Sequence, residues 1–469
     1  MARSLIPGVS LHTAILLGLV LGALCGLAVN YANEETRGAS RRQQLDQLPP
    51  HVDPSTVEGK PLPWVAPLLT YVTRPIGRVF LNLLTMTVVP LVFASLAVGI
   101  AQLGDLRKLG RIGLRTFGFF ILSMTAAVLI GLSLVNSIQP GVGLSEETQK
   151  KLSEDKRNQE ALGDRKPAQF GIETFEKIIP RNPIQAAEEM DMLGVIFFAL
   201  MFGIGLTVIP KLHSEVLVQA LKGINDVMVF IIGVAMLIAP LGVFALIFSV
   251  TVELGFDLLR MLIMYVLVVL LGLGIQMFGT LSLMILALAR VNPLKLFWKS
   301  RGIAITAFST SSSSATLPTS IKVSEEQLGI PPQIAGFVLP LGATMNMNGT
   351  ALFEGVTVLF LAQLTGVPMP LDKQVIVVVL SVLTAIGAAG VPGGSIPLLM
   401  MVLASVGVEP ERIGLILGVD RLLDMCRTVL NVMGDVAAAA YVARAEGHPP
   451  LQAPALPAEI GREVESQSS

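Results

Sequence analysis

The chain has 469 residues, of which 52% are hydrophobic and only 14% charged, and its formal net charge is −1. With a mean hydropathy of +0.71, this composition belongs to a polytopic membrane protein and excludes a water-soluble domain. The balanced charge and the lack of a basic stripe exclude a nucleic-acid binder, and Cys25 and Cys426 lie in apolar runs without metal-ligand or paired spacing.

Leu11 to Val29 is long enough to cross a bilayer and lacks a small-residue cleavage site, so it reads as a first transmembrane helix and not as a signal peptide. Apolar stretches recur at Phe80 to Ile100, Ile112 to Val135, Leu193 to Ile209, Val227 to Val250, Leu258 to Ala289, Ile334 to Leu361 and Ile413 to Tyr441, which makes eight candidate spans. Between the second and third spans, Arg107, Lys108, Arg111 and Arg115 face a single acid, Asp105, and Arg290, Lys295, Lys299 and Arg301 follow the sixth. Both loops are therefore predicted to be cytoplasmic, and by alternation so are both termini. The polar insertion Gly141 to Arg181 falls on the outer side and reads as a mobile loop without assigned chemistry.

Two more apolar stretches, Gly302 to Gly329 and Val375 to Gly407, are broken near their middles by Ser309-Thr310-Ser311-Ser312-Ser313-Ser314-Ala315-Thr316-Leu317-Pro318 and by Gly387-Ala388-Ala389-Gly390-Val391-Pro392-Gly393-Gly394-Ser395. Each is predicted to enter the membrane and turn back, since exposed backbone at a tip is tolerated only where protein or a water-filled cavity receives it. A pair of such interrupted segments points to a transporter's central site. Between them, the run from Gly342 to Glu354 carries Asn346, Asn348 and Thr350 inside the seventh span. Its polar side chains and mid-span glycine predict an unwound stretch whose carbonyls suit a sodium ion. Glu354, a carboxylate without a cation nearby in sequence, is a candidate proton carrier.

The last span carries Asp420, Asp424, Arg427, Asn431 and Asp435 on one helical face, over about 22 Å of axis. Ionisable groups in hydrocarbon cost at least about 2.5 to 3.5 kcal/mol each, so the stripe marks a substrate or ion pathway; a locking Asp424–Arg427 salt bridge accounts for only two of its charges. An intramembrane hydrolase fits poorly. Its serine form lacks a base, because His12, His51, His213 and His448 lie at span edges, in loops or in tails. Its aspartyl form requires close carboxylates, which Asp420 and Asp435 are not.

The Ser-Ser-Ala-Thr-Leu-Pro tip, the Asn-Met-x-Gly-Thr span, the Gly-Val-Pro-Gly tip and the Asp-x3-Asp-x2-Arg-x3-Asn-x3-Asp helix occur here in that order. From about Leu11 to Ala445 the chain resembles the dicarboxylate/amino acid:cation symporter family, of the excitatory amino acid transporter type and bacterial-like. The resemblance implies an all-α membrane protein with eight transmembrane helices and two re-entrant hairpins, working as a homotrimer by an elevator movement in a cell inner membrane. Scaffold helices would come from 1–110 and 183–255, and the transport unit from 111–140 and 256–445. Residues 141–182 would form an extracytoplasmic loop and 446–469 a disordered cytoplasmic tail.

Carried over by position, the resemblance implies that Arg427 pairs with the side-chain carboxylate of an acidic amino acid, glutamate or aspartate, with no enzymatic step. A guanidinium fork matches a carboxylate. Asp424 would hold the ammonium group, with Thr428 and Asn431 beside it. Ser312 and Ser313 would receive the α-carboxylate together with Asn431, and Thr350 would line the opposite wall. Gly390, Val391, Pro392, Gly394 and Ser395 would cover the pocket as a gate. The alternative within the family is a carrier of C4-dicarboxylates or neutral amino acids.

No resident cofactor is implied, only co-transported ions. One sodium site would use Asp435 with carbonyls of Gly342, Asn346 and Asn431. A second would use carbonyls near Thr344 and from Ala385, Ile386 and Ala388. A third departs from the family pattern, with Asn348 in place of an aspartate and Phe120 and Met124 in place of oxygen ligands, leaving only Ser123. Glutamate at 354 marks the proton-coupled relatives, so a proton is expected to replace one or more sodium ions. An accessory arginine of the family is missing at Ser311 and Met425. Arg421 either substitutes from a neighbouring face or snorkels to the interface, and the spacing leaves both open.

Overall fold

A computed structural model describes residues 11–46, 60–143, 179–188, 192–388 and 390–451. Most of the expected outer loop, most of the expected tail and Ala389 of the second tip lie outside the described residues, which are helical throughout with no strand among them. Helix α1 is Leu11–Asp46; α2 (Arg74–Thr85) and α3 (Val88–Leu109) follow, separated by a turn at Met86 and Thr87; α4 is Arg111–Ile138. Helix α5 is Met192–Val208, α6 the 44-residue Lys211–Leu254, and α7 begins as Phe256–Gly274 and continues through two π-helical turns to Ala289.

Among the described residues, six helical stretches are long and apolar enough to cross a membrane. Two of the eight expected spans fall short of that standard for opposite reasons. Helix α5 has only 17 residues, whereas α14 (Leu417–Ala445) is long but carries Asp420, Arg421, Asp424, Arg427 and Asp435. The expected start of that span, Ile413, lies in a 3-10 turn, Pro410–Leu415.

Helix α1 packs closely along α6 because Gly18, Gly22 and Gly26 recur every four residues on one face. A Cβ at Gly18 or Gly22 would strike the backbone of Pro240 or Phe244. This is the small-residue stripe by which membrane helices reach van der Waals contact. The centre of the molecule is different in character. The stretch Pro332–Thr365 has 94% of its apolar window buried, against 28% for Thr13–Leu45, so one is enclosed by protein and the other faces outward.

Pro332–Thr365 is split, as an unwound stretch requires, into α10 (Pro332–Met345) and α11 (Asn348–Thr365). The break falls at Asn346 and Met347, both with non-helical backbone, and not at a glycine. Gly349 serves packing: a Cβ there would collide with Arg427 O on α14, so α11 and α14 meet backbone to side-chain root.

Both interrupted stretches form helical hairpins whose ends lie within a few residues of their apolar runs: α8 (Arg301–Thr310) with α9 (Ser313–Glu326), and α12 (Leu371–Gly387) with α13 (Ile396–Ser405). At the first tip Ser311 takes a left-handed conformation that ends α8 (φ 49°), and Ser312 Oγ caps α9 by accepting from Ala315 N–H at 3.1 Å. Residues at the start of the expected tail are held in place: Glu446 accepts from Arg115 at 2.5 Å, and Leu451 N–H donates to Leu328 O at 2.7 Å. The first contact puts the start of α4 and the end of α14 on the same side of the molecule.

Candidate substrate and ion sites

Helix geometry brings the stripe of α14 onto the face covered by the two tips and by the α10–α11 break. A cavity lies there, lined on the α14 side by Asp424, Thr428 and Asn431, on the α11 side by Met347 and Thr350, and at the tips by Ser311, Ser313, Gly390, Val391 and Ser395. The starts of three helices, α9 at Ser313, α11 after Met347 and α13 after Ser395, thus border one space. Their positive dipole ends favour a carboxylate. The cavity offers about 20 Å³ to the centre of a water molecule, room for about one water and far less than an amino acid needs.

The cavity is small because the tips touch. Gly390 O accepts from Ser312 Oγ at 2.6 Å and from Ser314 N–H at 3.2 Å. Gly393 N–H donates to Asp424 Oδ2 at 3.4 Å from a left-handed backbone (φ 75°) that glycine adopts without strain. Of the residues expected at the pocket, Ser313, Thr350, Gly390, Val391, Ser395, Asp424, Thr428 and Asn431 come together around it; Ser312 is engaged by the opposite tip, and Arg427, Pro392 and Gly394 stand back from the lining.

Four charges of α14 form a ladder. Arg427 Nε donates to Asp424 Oδ1 at 3.0 Å, Arg427 Nη1 lies 2.9 Å from Asp420 Oδ1, and Arg421 Nη1 donates to Asp424 Oδ2 at 3.2 Å. The salt bridge weighed as a mere lock is therefore present, and it is larger than the sequence suggested, since it also accounts for Asp420. It leaves Asp435 apart. Arg421 is 3% exposed and ion-paired, so it does not snorkel.

Arg427 is 1% exposed and lies over the Phe353 ring, 4.1 Å from its centre. Its contact with Asp420 is close but misaligned, so that both Nη1 and Nη2 lack a hydrogen-bond partner. A buried guanidinium whose outer nitrogens lack hydrogen-bond partners is costly unless something else arrives to fill them. Asn431 Oδ1, by contrast, is fully used, accepting from Gly349 N–H at 2.7 Å and Thr350 N–H at 3.4 Å, while its Nδ2 donates to Thr350 Oγ1 at 3.3 Å. Thr428 Oγ1 donates to Asp424 O at 2.7 Å.

Asp435, 2% exposed, accepts from Asn346 Nδ2 at 2.8 Å and presses its carboxylate on Gly342, where a Cβ would strike it. Among the described residues no arginine or lysine pairs with it. Thr344 Oγ1 donates to Leu341 O at 3.0 Å, and the backbone turns extended at Ala388, after Ala385, Ile386 and Gly387 in the last turn of α12. Glu354 is fully buried; Oε2 accepts from Thr384 Oγ1 at 2.6 Å and Oε1 has no partner.

At the third expected ion position there is no carboxylate. Asn348 Nδ2 donates to Ser123 Oγ at 2.8 Å, and Gln276 Nε2 donates to Ser123 O at 3.0 Å, with Phe120 and Met124 fully buried alongside. Gln276 escaped the sequence reading, although it is the one amide in the apolar run Leu259 to Ala289 and lies in a π-helical turn, both signs of a special position. Phe353 and Thr384 gave no comparable signal, being ordinary residues of apolar helices.

A model of the sodium:dicarboxylate symporter family matches residues 11–445. The chain belongs to the sodium:dicarboxylate symporter family. This family member is 36% identical over 382 residues to a proton/glutamate-aspartate symporter of Escherichia coli (strain K12), covering 81% of this chain and 86% of that protein. It is 36% identical over 374 residues to a proton/sodium-glutamate symport protein of Geobacillus stearothermophilus, covering 80% and 88%. An excitatory amino acid transporter of Caenorhabditis elegans is 33% identical over 415 residues, covering 80% and 81%. Membership makes the chain a transporter and not an enzyme, and accounts for its long apolar helices as an integral membrane protein.

Proposed function

We propose that this protein is a secondary active symporter of acidic amino acids, glutamate or aspartate, driven by sodium, protons or both. The observation that carries the reading is Arg427: a guanidinium 1% exposed, stacked on Phe353, with neither outer nitrogen hydrogen-bonded and only Nη1 ion-paired, to Asp420, beside a cavity bordered by three helix starts. Such a site suits two carboxylates, one on the guanidinium fork and one at Ser313 with the helix starts, while Asp424 suits the ammonium between them. The names of the relatives support the same substrate class.

The hairpins are read as re-entrant, with the second tip as the gate. Opening it requires parting the two contacts at Gly390 and the one between Gly393 and Asp424, at a net cost of about 0.5–1.5 kcal/mol per hydrogen bond. Helices α4 and α7 to α14 would form the transport unit and the others the scaffold of a homotrimer, moving as an elevator in a cell inner membrane with both termini cytoplasmic.

Asp435 is read as the ligand of one sodium ion, because a buried carboxylate without a counter-charge calls for a cation, and the backbone around Thr344 and Ala385 to Ala388 as the second site. The neutral cluster of Ser123, Gln276 and Asn348 supports loss of the third. Glu354 is the proton carrier. A C4-dicarboxylate carrier has no use for Asp424. Competition separates the two: succinate or malate is expected to inhibit uptake of labelled aspartate only at much higher concentration than unlabelled glutamate or aspartate does, and equal inhibition by all four would contradict the reading.

A further inference from the structure

Arg421 lies one residue off the stripe, about 100° around the helix from Asp420, yet it is as buried as the residues on it. Its surroundings differ from theirs. It borders a second, mostly apolar space where Ile15, Phe80 and Met236 approach α14 from α1, α2 and α6. Close packing on that side is set by Gly418, where a Cβ would run into Leu19. From this wall the guanidinium reaches back to Asp424 Oδ2 at 3.2 Å, while Asp424 itself lines the substrate cavity.

Asp424 is thus approached from two directions. Its Oδ1 is held by Arg427, and its Oδ2 takes the hydrogen bond from Arg421 together with the longer one from Gly393 N–H. With Asp420 paired to Arg427, the four groups Asp420, Arg421, Asp424 and Arg427 sum to zero charge before any ligand arrives. A buried carboxylate tolerates the loss of one partner only if another replaces it. Where Arg421 supplies that partner, the site is satisfied with or without an ammonium group in the cavity.

We propose that Arg421 is a specificity-setting positioning residue: it stands in for the substrate ammonium at Asp424, and thereby sets how strictly the site demands an amino group. The proposal rests on the acidic amino acid reading above. With Arg421 present, a ligand that has two carboxylates but no amine leaves Asp424 paired. Without it, such a ligand leaves Asp424 Oδ2 with only the long contact from Gly393 N–H and no cation, whereas an amino acid supplies one. Removing the arginine should therefore sharpen discrimination, which is the opposite of what general damage to the site does.

The test is equilibrium binding of aspartate and of succinate, its analogue without the amine, to the purified full-length protein and to R421Q, R421M and R421K. R421M keeps an apolar stem of similar length against Ile15 and Phe80, so the question does not hang on the folding of R421Q. The ratio of succinate to aspartate Kd is expected to rise about tenfold in R421Q and R421M, a step of about 1.4 kcal/mol, with aspartate binding as tightly as before or more so. R421K is expected to bring the ratio back toward the wild-type value. An unchanged or smaller ratio, R421K behaving like R421Q, or a wild-type protein that binds aspartate but no succinate overturns the proposal. A wild-type protein that does not bind aspartate overturns the functional reading instead.

Discussion

Arg427 is the residue on which substrate choice turns. It is enclosed, stacked and partly matched, and truncating one member of a buried charged set costs about 2–5 kcal/mol. Arg427→Cys is expected to weaken aspartate uptake by about 100-fold or more and to shift preference toward neutral amino acids, as read from a competition panel. A variant that still selects aspartate would mean that the carboxylate is recognised elsewhere. Glu354 is the corresponding residue for coupling. Glu354→Gln removes the titratable group while keeping an acceptor for Thr384, so uptake driven by a pH gradient is expected to vanish while any sodium-driven uptake persists. Full sodium dependence of the unaltered protein with no response to pH would remove the proton role altogether. The stripe on α14 was legible in the sequence because each charge in an apolar run is expensive and therefore conspicuous. Its internal pairing was legible only in part: the Asp424–Arg427 bridge follows from the spacing, but register along one helix does not say that Asp420 meets Arg427 as well or that Arg421 reaches Asp424. Phe353 carried no signal at all, because an aromatic in an apolar helix is ordinary until a guanidinium is found above it.

At the scale of elements, the close approach of α11 to α14 is what holds the α11 wall of the cavity against the stripe. Gly349→Ala would drive a methyl group into Arg427 O and Cα, backbone atoms that have little room to yield. The variant is expected to lose about 1–3 kcal/mol and to melt at a lower temperature in detergent, with weaker aspartate binding than its stability alone explains; a wild-type melting curve would show that the two helices are free to separate. Both hairpins were legible because serine and glycine runs interrupt segments otherwise greasy enough to span. The unwinding of the seventh span was legible too, but its position was not: Asn346 and Met347 carry the break, and Gly349 belongs to the packing. The Gly18, Gly22 and Gly26 stripe on α1 was a readable signal that hydropathy alone passes over. The π-helical turns of α7, with Gln276 in the first, have no composition that announces them.

For the whole molecule, the sites share a logic of charge. The α14 ladder is neutral by itself, an acidic amino acid brings one net negative charge, and Asp435 stands buried without a counter-charge among the described residues. Moving that assembly through a bilayer is costly unless cations travel with it, which ties transport of the substrate to transport of ions. The family was legible from four ordered motifs, while the self-closed state of the site, with tip on tip and a cavity the size of a water molecule, depends on contacts between segments some 80 residues apart. The measurement that tests the central claim most directly is uptake of labelled aspartate and glutamate into proteoliposomes under an inward sodium gradient, an inward proton gradient, both, or neither. Concentrative uptake under at least one gradient, abolished by excess acidic but not neutral amino acid, is the predicted result. Uptake that merely equilibrates under every gradient, or that concentrates neutral amino acids instead, would contradict it.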